Sequence, residues 1–232
     1  AAGYNPVELI NLEKNKAETK LLDWDGTVKL NLLPLFLPNA KYSQNLSTQI
    51  TFADHQYNND YSMFEPSTMN KHIKTKKKGW AHRSANNSRS LSLEWLANYN
   101  IGIKDHNIRA MVGYSYQYWQ NSGFSAANYD FSNDGLGADN LGSGDGAKEE
   151  GEVGMDSYKD DSKLIAFFGR VNYDYGGRYL LAATMRIDGS SKFAKGNRWA
   201  FFPAVSVGWR IDKENFMQNV RAVDVLKLRG SV

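Results

Sequence analysis

The chain has 232 residues, a formal net charge of +3 and no cysteine, and 41% of its residues are hydrophobic. Disulfides and cysteine-based metal sites are therefore excluded, and the charge is too small and too dispersed for a nucleic-acid surface. Mean hydropathy is −0.56, and the absence of any run of about 18 apolar residues excludes a transmembrane helix but not a membrane β-barrel, whose strands hide their apolar residues by alternation.

Ala1 to Pro6 has neither the basic nor the apolar region of a signal peptide, and Val225 to Val232 stops inside an alternating run. The chain therefore reads as a piece of a longer protein. Between these points the dominant signal is period-two alternation, the signature of strands with two different faces. Trp24, Val28, Leu30 and Leu32 oppose Asp23, Asp25, Lys29 and Asn31. Leu46, Ile50 and Phe52 form a weaker run, with Gln44 and Thr48 on its apolar side. Leu91, Leu93, Trp95, Ala97 and Tyr99 oppose Ser90, Ser92, Glu94 and Asn98, with Leu96 out of pattern. Ile108, Ala110, Val112, Tyr114, Tyr116 and Tyr118 oppose Asn107, Arg109, Ser115 and Gln117. Ile165, Phe167, Val171 and Tyr173 oppose Arg170, Asn172 and Asp174. Tyr179, Leu181, Ala183, Met185 and Ile187 oppose Leu180, Ala182, Thr184, Arg186 and Asp188. The clearest run sets Trp199, Phe201, Pro203, Val205, Val207, Trp209 and Ile211 against Ala200, Phe202, Ala204, Ser206, Gly208, Arg210 and Asp212. With the truncated last run these make about eight strands. Pro203 removes a ladder donor, so a bulge or bend is expected there.

The apolar faces carry no charge. Arg or Lys on a lipid-facing position costs roughly 2–4 kcal/mol at the bilayer midplane, and these faces avoid it. The connections discriminate further. Residues 34–41 and 100–105 and the turn at Tyr175-Gly176-Gly177 are short, whereas 56–85 and 120–160 are long. Residues 189–198 and 213–224 are intermediate, the latter with a helical turn expected at Glu214 to Met217. Outer-membrane barrels pair short periplasmic turns with longer extracellular loops, and a sandwich has no reason to do so. The expected fold is all-β, with antiparallel up-and-down strands forming part of a large transmembrane barrel.

No cofactor or catalytic centre is expected. His55, His72, His82 and His106 lack metal-ligand spacing. Asp188-Gly189-Ser190-Ser191 has no nucleophile-elbow pattern and reads as a turn. Gly142 to Gly146 resembles a phosphate loop in composition only. Asp130, Asp134, Asp139 and Asp145 offer oxygen ligands for Ca²⁺ but lack EF-hand spacing, so 132–154 reads as a mobile acidic loop. The basic run Lys71 to Lys78 reads as solvated, with contact to outer-leaflet phosphates as the sharper alternative.

From Gly169-Arg170-Val171-Asn172-Tyr173 onward the chain resembles the SusC/RagA family of TonB-linked outer-membrane proteins. The likeness sharpens at Arg186-Ile187-Asp188-Gly189-Ser190-Ser191-Lys192-Phe193 and continues from Asn197 through Phe202-Pro203 and Gly208-Trp209-Arg210 to Ile211. Glu214, Phe216-Met217 and Leu226 to Ser231 follow in order. The match is dense from about residue 165 and thin before it. It implies a barrel of about 22 strands, of which residues 1–232 are a portion, with a plug and a TonB-interacting segment elsewhere. It also implies a glycan or peptide substrate, a SusD-like lipoprotein lid, and placement in outer-membrane lipid. Arg109, Gln117, Arg170, Asn172, Arg186 and Arg210 are the candidates to face the lumen, as ligand or plug contacts. Asp188, Gly189, Ser190, Ser191, Phe193, Pro203, Gly208 and Trp209 are structural members of the motif. A passive porin has the same strands without a plug, and a soluble carbohydrate-binding sandwich would bury the apolar face on a second sheet.

Overall fold

A computed structural model of the chain describes residues 6–36, 43–149, 154–218 and 222–232. Eight strands form one antiparallel sheet in sequence order: β1 (Lys14–Asn31), β2 (Ser43–Glu65), β3 (Trp80–Ile103), β4 (His106–Tyr129), β5 (Gly154–Tyr175), β6 (Tyr179–Ser190), β7 (Trp199–Arg210) and β8 (Lys227–Ser231). Among the described residues the sheet is open, with β1 and β8 each paired on one side only. Short helices α1 (Pro6–Leu12), α2 (Leu33–Phe36) and α3 (Asn70–Thr75) precede or connect strands. No helix is long and apolar enough to cross a membrane.

Strand number and order match the alternation in the sequence, but the strands run further than it predicts. β2 continues to Glu65, β4 to Tyr129, and β5 starts at Gly154. These extensions are polar on both faces (Asn58, Asn59, Asp60; Asn121, Ser122; Asp160, Asp161). They therefore carry no clear period-two hydropathy signal, and backbone pairing carries the strands through them. The connection at 191–198 is also shorter than the one at 211–226, which departs from the expected loop asymmetry.

The chain divides into two compact units. Unit one is Ala1–Asp23, His55–Ser90 and Trp119–Asp161. It holds the hydrophobic cluster of Phe64, Ala81, Phe131 and Ala138, packed by Leu141. The Phe64 and Phe131 rings meet edge to face at 5.8 Å, a favoured quadrupole arrangement. The segment expected as a loose acidic loop is folded here over its described part. Three 3₁₀ turns span Asp134–Asp139, Leu141–Ser143 and Asp145–Lys148. Asn128 Nδ2 donates to the carbonyls of Leu141 and Gly144 at 2.8 and 3.0 Å, and Asp134 accepts from the Ser67 N–H and hydroxyl. The basic run is likewise not simply solvated. His72 is 3% exposed and its Nε2 lies 3.0 Å from the equally buried Glu65 carboxylate, which also pairs with Lys71. A carboxylate left alone at that depth would carry a large desolvation cost, so the loop is held by its ion pair.

Unit two is Trp24–Asp54, Leu91–Tyr118 and Ser162–Val232. The ladders joining β5, β6 and β7 are unbroken over their paired residues. β5 and β6 pair from Leu164↔Ser190 to Tyr175↔Tyr179, and β6 and β7 from Tyr179↔Trp209 to Gly189↔Trp199. The register runs straight through Met185↔Pro203, so the bulge expected at Pro203 is absent. Val205 exchanges backbone bonds with Val232 across the β7–β8 side. Pro203 shares its parity, so the missing donor points away from β6 and the β6 ladder is intact. The β5–β6 turn uses Gly176 and Gly177 at φ 59° and 65°, the left-handed geometry a tight hairpin requires, and Asp174 Oδ1 accepts from Gly177 N at 2.6 Å. The expected turn near Glu214 is present as 3₁₀ geometry over Asn215–Met217.

Gly113 is buried, and a Cβ there would lie 2.4 Å from the Phe168 ring and 2.8 Å from Leu96. Leu96, out of pattern in the sequence, thus packs with Phe168 across a glycine. Gly113→Val is expected to destabilise the intact protein by about 1–3 kcal/mol through overpacking, read as a lower urea midpoint in detergent. An unchanged midpoint would show that the ring moves away freely.

Candidate functional site

Directly paired residues in antiparallel strands share a face, so the registers assign the faces of β5 to β8. One face carries Ile165, Phe167, Val171 and Tyr173, then Ile187, Met185, Leu181 and Tyr179, then Phe201, Val205, Val207 and Trp209, then Leu228. It holds no charge between Ile165 and Tyr173 or anywhere on its β6 and β7 rows. Among the described residues nothing covers it: Trp199 is 58% exposed, Phe201 56% and Val207 56%. A contiguous apolar surface of this extent is rare on a soluble monomer and marks a face made for an apolar partner. Further along the sheet the same parity brings Tyr114 against Phe167 at 5.2 Å and Trp24 against Phe52 at 5.1 Å.

The opposite face carries the polar residues. Arg170 Nε donates to Asn172 at 3.2 Å. Arg186 Nε donates to both Asp188 oxygens at 2.8 and 3.0 Å and lies 5.6 Å from the Phe168 ring centre. Phe202, the other out-of-pattern residue, pairs directly with Arg186. The Phe168 ring thus gives the Arg186 guanidinium a favourable cation–π setting. Arg109, Asn172, Asp174, Ser206, Lys227 and Arg229 line a depression of about 440 Å³. Of the six candidate residues, this brings together Arg109 and Asn172, with Arg170 attached through Asn172. Gln117 is half-buried on β4 and Arg186 sits apart with Asp188. Lys227 and Arg229 were missed in the sequence, although alternation about Leu228 carries the signal for both.

Arg210 belongs to a different arrangement. It bonds Asp212 twice, at 2.8 and 2.6 Å, and Asp212 Oδ1 also accepts from Leu226 N at 3.2 Å, where the chain enters β8. The bidentate hydrogen bonds from the guanidinium hold the Asp212 carboxyl at a pKa of about 2 against an ordinary 3.8. Beside it, Trp209 Nε1 donates to Glu214 at 2.9 Å, and Arg178 stands 3.6 Å from the same carboxylate. The hydrogen bonds from Trp209 and Tyr179 pull the Glu214 pKa below its usual value. Trp209, a motif residue, is thus an anchor that ties the end of β7 to the connection after it. Gly208 faces the depression. Gly189 has a packing reason too, because a Cβ there would meet the Trp199 ring at 2.7 Å. Ser190 and Ser191 close the turn: Ser191 Oγ accepts from Lys163 N at 2.8 Å, and Ser190 Oγ from Lys192 N at 3.3 Å.

Among the described residues no three His, Asp or Glu side chains gather as metal ligands. The loop aspartates are engaged separately: Asp130 accepts from Lys78 N at 2.6 Å, Asp145 pairs with Lys148 at 2.7 Å, and Asp139 lies 3.9 Å from Arg83.

An open antiparallel sheet with one uncharged, uncovered face and one charged face is a segment of a β-barrel wall. Residues 9–232 match the family described as TonB dependent receptor-like, beta-barrel, and the chain belongs to that family. TonB-dependent receptor SusC of Bacteroides thetaiotaomicron is 29% identical over 238 aligned residues, covering 97% of this chain and 20% of that protein. TonB-dependent receptor P3 of Formosa agariphila is 38% identical over 148 residues, 63% of this chain and 14% of that one. Structures of the RagAB peptide transporter share the fold at 21% identity, with TM-score 0.72 over 96% of this chain and 23% of theirs. In the closed-closed state of that importer the TM-score is 0.75. The SusC/RagA resemblance is therefore borne out, and it reaches well upstream of residue 165. The chain spans a fifth or less of the curated relatives named here.

The Asp212 carboxyl has a depressed pKa in the folded state, so its contribution is present above the ordinary 3.8 and is lost as pH falls toward about 2. The difference in urea midpoint between the intact protein and its Asp212→Asn variant is expected to stay constant from neutral pH down to that window and then to shrink. A difference that fades already near neutrality would assign it to another group.

Proposed function

We propose that this chain is part of the barrel wall of a TonB-dependent importer in the outer membrane, with the plug and the other strands in the rest of the protein. The observation that carries the reading is the segregation of side chains by register. An uncharged aromatic and aliphatic face, uncovered by protein, suits hydrocarbon, and the face bearing Arg109, Gln117, Arg170, Asn172 and Arg186 suits an aqueous lumen. Trp199 and Trp209 bound the apolar stretch of β7 at its two ends, as interfacial aromatics do. In this reading the depression beside Arg109 and Asn172 meets plug or cargo. Arg210 serves the sheet itself, since Asp212 occupies its guanidinium.

The family membership supports energy input through TonB, a SusD-like lipoprotein at the extracellular mouth, and a glycan or peptide as cargo. The RagAB structures, which share the fold, are of a peptide transporter, and this supports the peptide class of cargo.

Two substitutions one residue apart test the orientation. Val205→Arg puts a charge on the apolar face at a cost of roughly 2–4 kcal/mol if that face meets lipid, so the amount of assembled protein in outer-membrane fractions should fall severalfold. Ser206→Arg should leave it within about twofold. Equal tolerance of both would overturn the assignment. Uptake that persists after removal of TonB would favour a passive porin over an importer.

A further inference from the structure

Ser190 and Ser191 hold the turn in place, and several cations stand around it. On β5, Lys163 continues the parity of Ile165 and Phe167, and its Nζ lies 5.7 Å from the Tyr118 ring centre, so it stands on the apolar face at the end of its uncharged stretch. Lys163 and Ser191 are tied backbone to backbone and through the serine hydroxyl, at 2.9 and 2.8 Å. That contact fixes the connection at 191–198 beside Lys163. The connection carries Lys192, Lys195 and Arg198 and no Asp or Glu. Among the described residues none of these four cations forms an ion pair; Arg198 Nε donates only to the Phe193 carbonyl, at 3.2 Å. All residues from 191 to 200 are exposed, including Phe193 at 60%. The Trp199 ring lies across Gly189 on the apolar face.

Four unpaired cations, an exposed Phe and two rings at the limit of an apolar face have the composition of a membrane-interface site. Aromatic rings sit at headgroup depth, long cationic side chains reach past apolar surface to phosphates, and each added cation strengthens the attraction. We propose that Lys163, Lys192, Lys195 and Arg198, framed by Tyr118, Phe193 and Trp199, bind the phosphate groups of an outer-leaflet lipid. The site rests on the orientation given under Proposed function, in which the 191–198 connection is extracellular. It also differs from the basic run at 71–78, where Lys71 and His72 turn to Glu65.

The test uses the full-length protein in detergent and mixed micelles carrying diphosphorylated lipid A, with the dephosphorylated lipid and inorganic phosphate as separate probes. The wild type should bind the phosphorylated micelles at least about tenfold more tightly than the dephosphorylated ones. The combined variant Lys163→Gln, Lys192→Gln, Lys195→Gln, Arg198→Gln should lose most of that preference, while Lys74→Gln, Lys76→Gln, Lys78→Gln should keep it. Equal binding by wild type and the 163–198 variant, or no dependence on lipid phosphate, overturns the site. Competition by inorganic phosphate at the same concentration as lipid overturns a lipid source in favour of a free anion. Failure of the underlying reading looks different: the wild type would then fractionate as a soluble protein without detergent. A heat-modifiable band on electrophoresis shows that each variant has folded before binding is compared.

Discussion

Backbone hydrogen bonding in antiparallel register is the constraint from which the rest follows. A strand in hydrocarbon must give every N–H and C=O a partner on a neighbouring strand, because no water is present to take them. Once the ladder is fixed, side-chain direction is fixed too, and a one-residue slip would put Arg170, Arg186 and Arg210 where Val171, Ile187 and Trp209 now stand. The continuous pairing of β5, β6 and β7 is therefore what separates the charges from the apolar surface. Pro203 fits this constraint because its missing donor falls on the β8 side.

Among the described residues of unit two little is conventional core. In unit two, rings and aliphatic side chains lie exposed along one face, and tight contacts occur where glycine allows them. Gly113 lets Phe168 lie down beside Leu96, and Gly189 lets Trp199 lie across β6. Anchoring comes from polar clusters at strand ends, where Trp209, Arg178 and Glu214 meet and Arg210 holds Asp212. Unit one follows ordinary rules instead, with Phe64 and Phe131 buried together and the Glu65 carboxylate held by Lys71 and His72. Burial in that cluster offsets part of the entropy cost of ordering a long connection.

Period two was legible in the sequence wherever a strand has unlike faces, so strand number, order and facing were readable from Trp24 to Ile211. Strand length was not, because Asn58 to Asp60 or Asp160 to Ser162 present polar groups on both sides and leave no pattern to read. The folded state of 132–149 was hidden for a related reason. Its composition is acidic and glycine-rich, and partners elsewhere in the chain, Phe64, Ser67 and Asn128 among them, order it. The site residues were readable as a parity class but not as a constellation. The approach of Lys227 and Arg229 to Arg109 depends on neighbours from other strands that alternation cannot supply, whereas the pairs Arg170 with Asn172 and Arg210 with Asp212 join next neighbours on one face.

The central claim is that one face of β7 meets lipid and the other meets water, residue by residue. Spin labels placed singly at positions 199 to 209 of the full-length protein in bilayers would measure it through relaxation by oxygen and by a water-soluble nickel chelate. The account predicts a two-residue oscillation, with oxygen dominating at 201, 205 and 207 and the chelate at 200, 204 and 206. Uniform chelate access along the strand, or burial of the odd positions from both reagents, would contradict it.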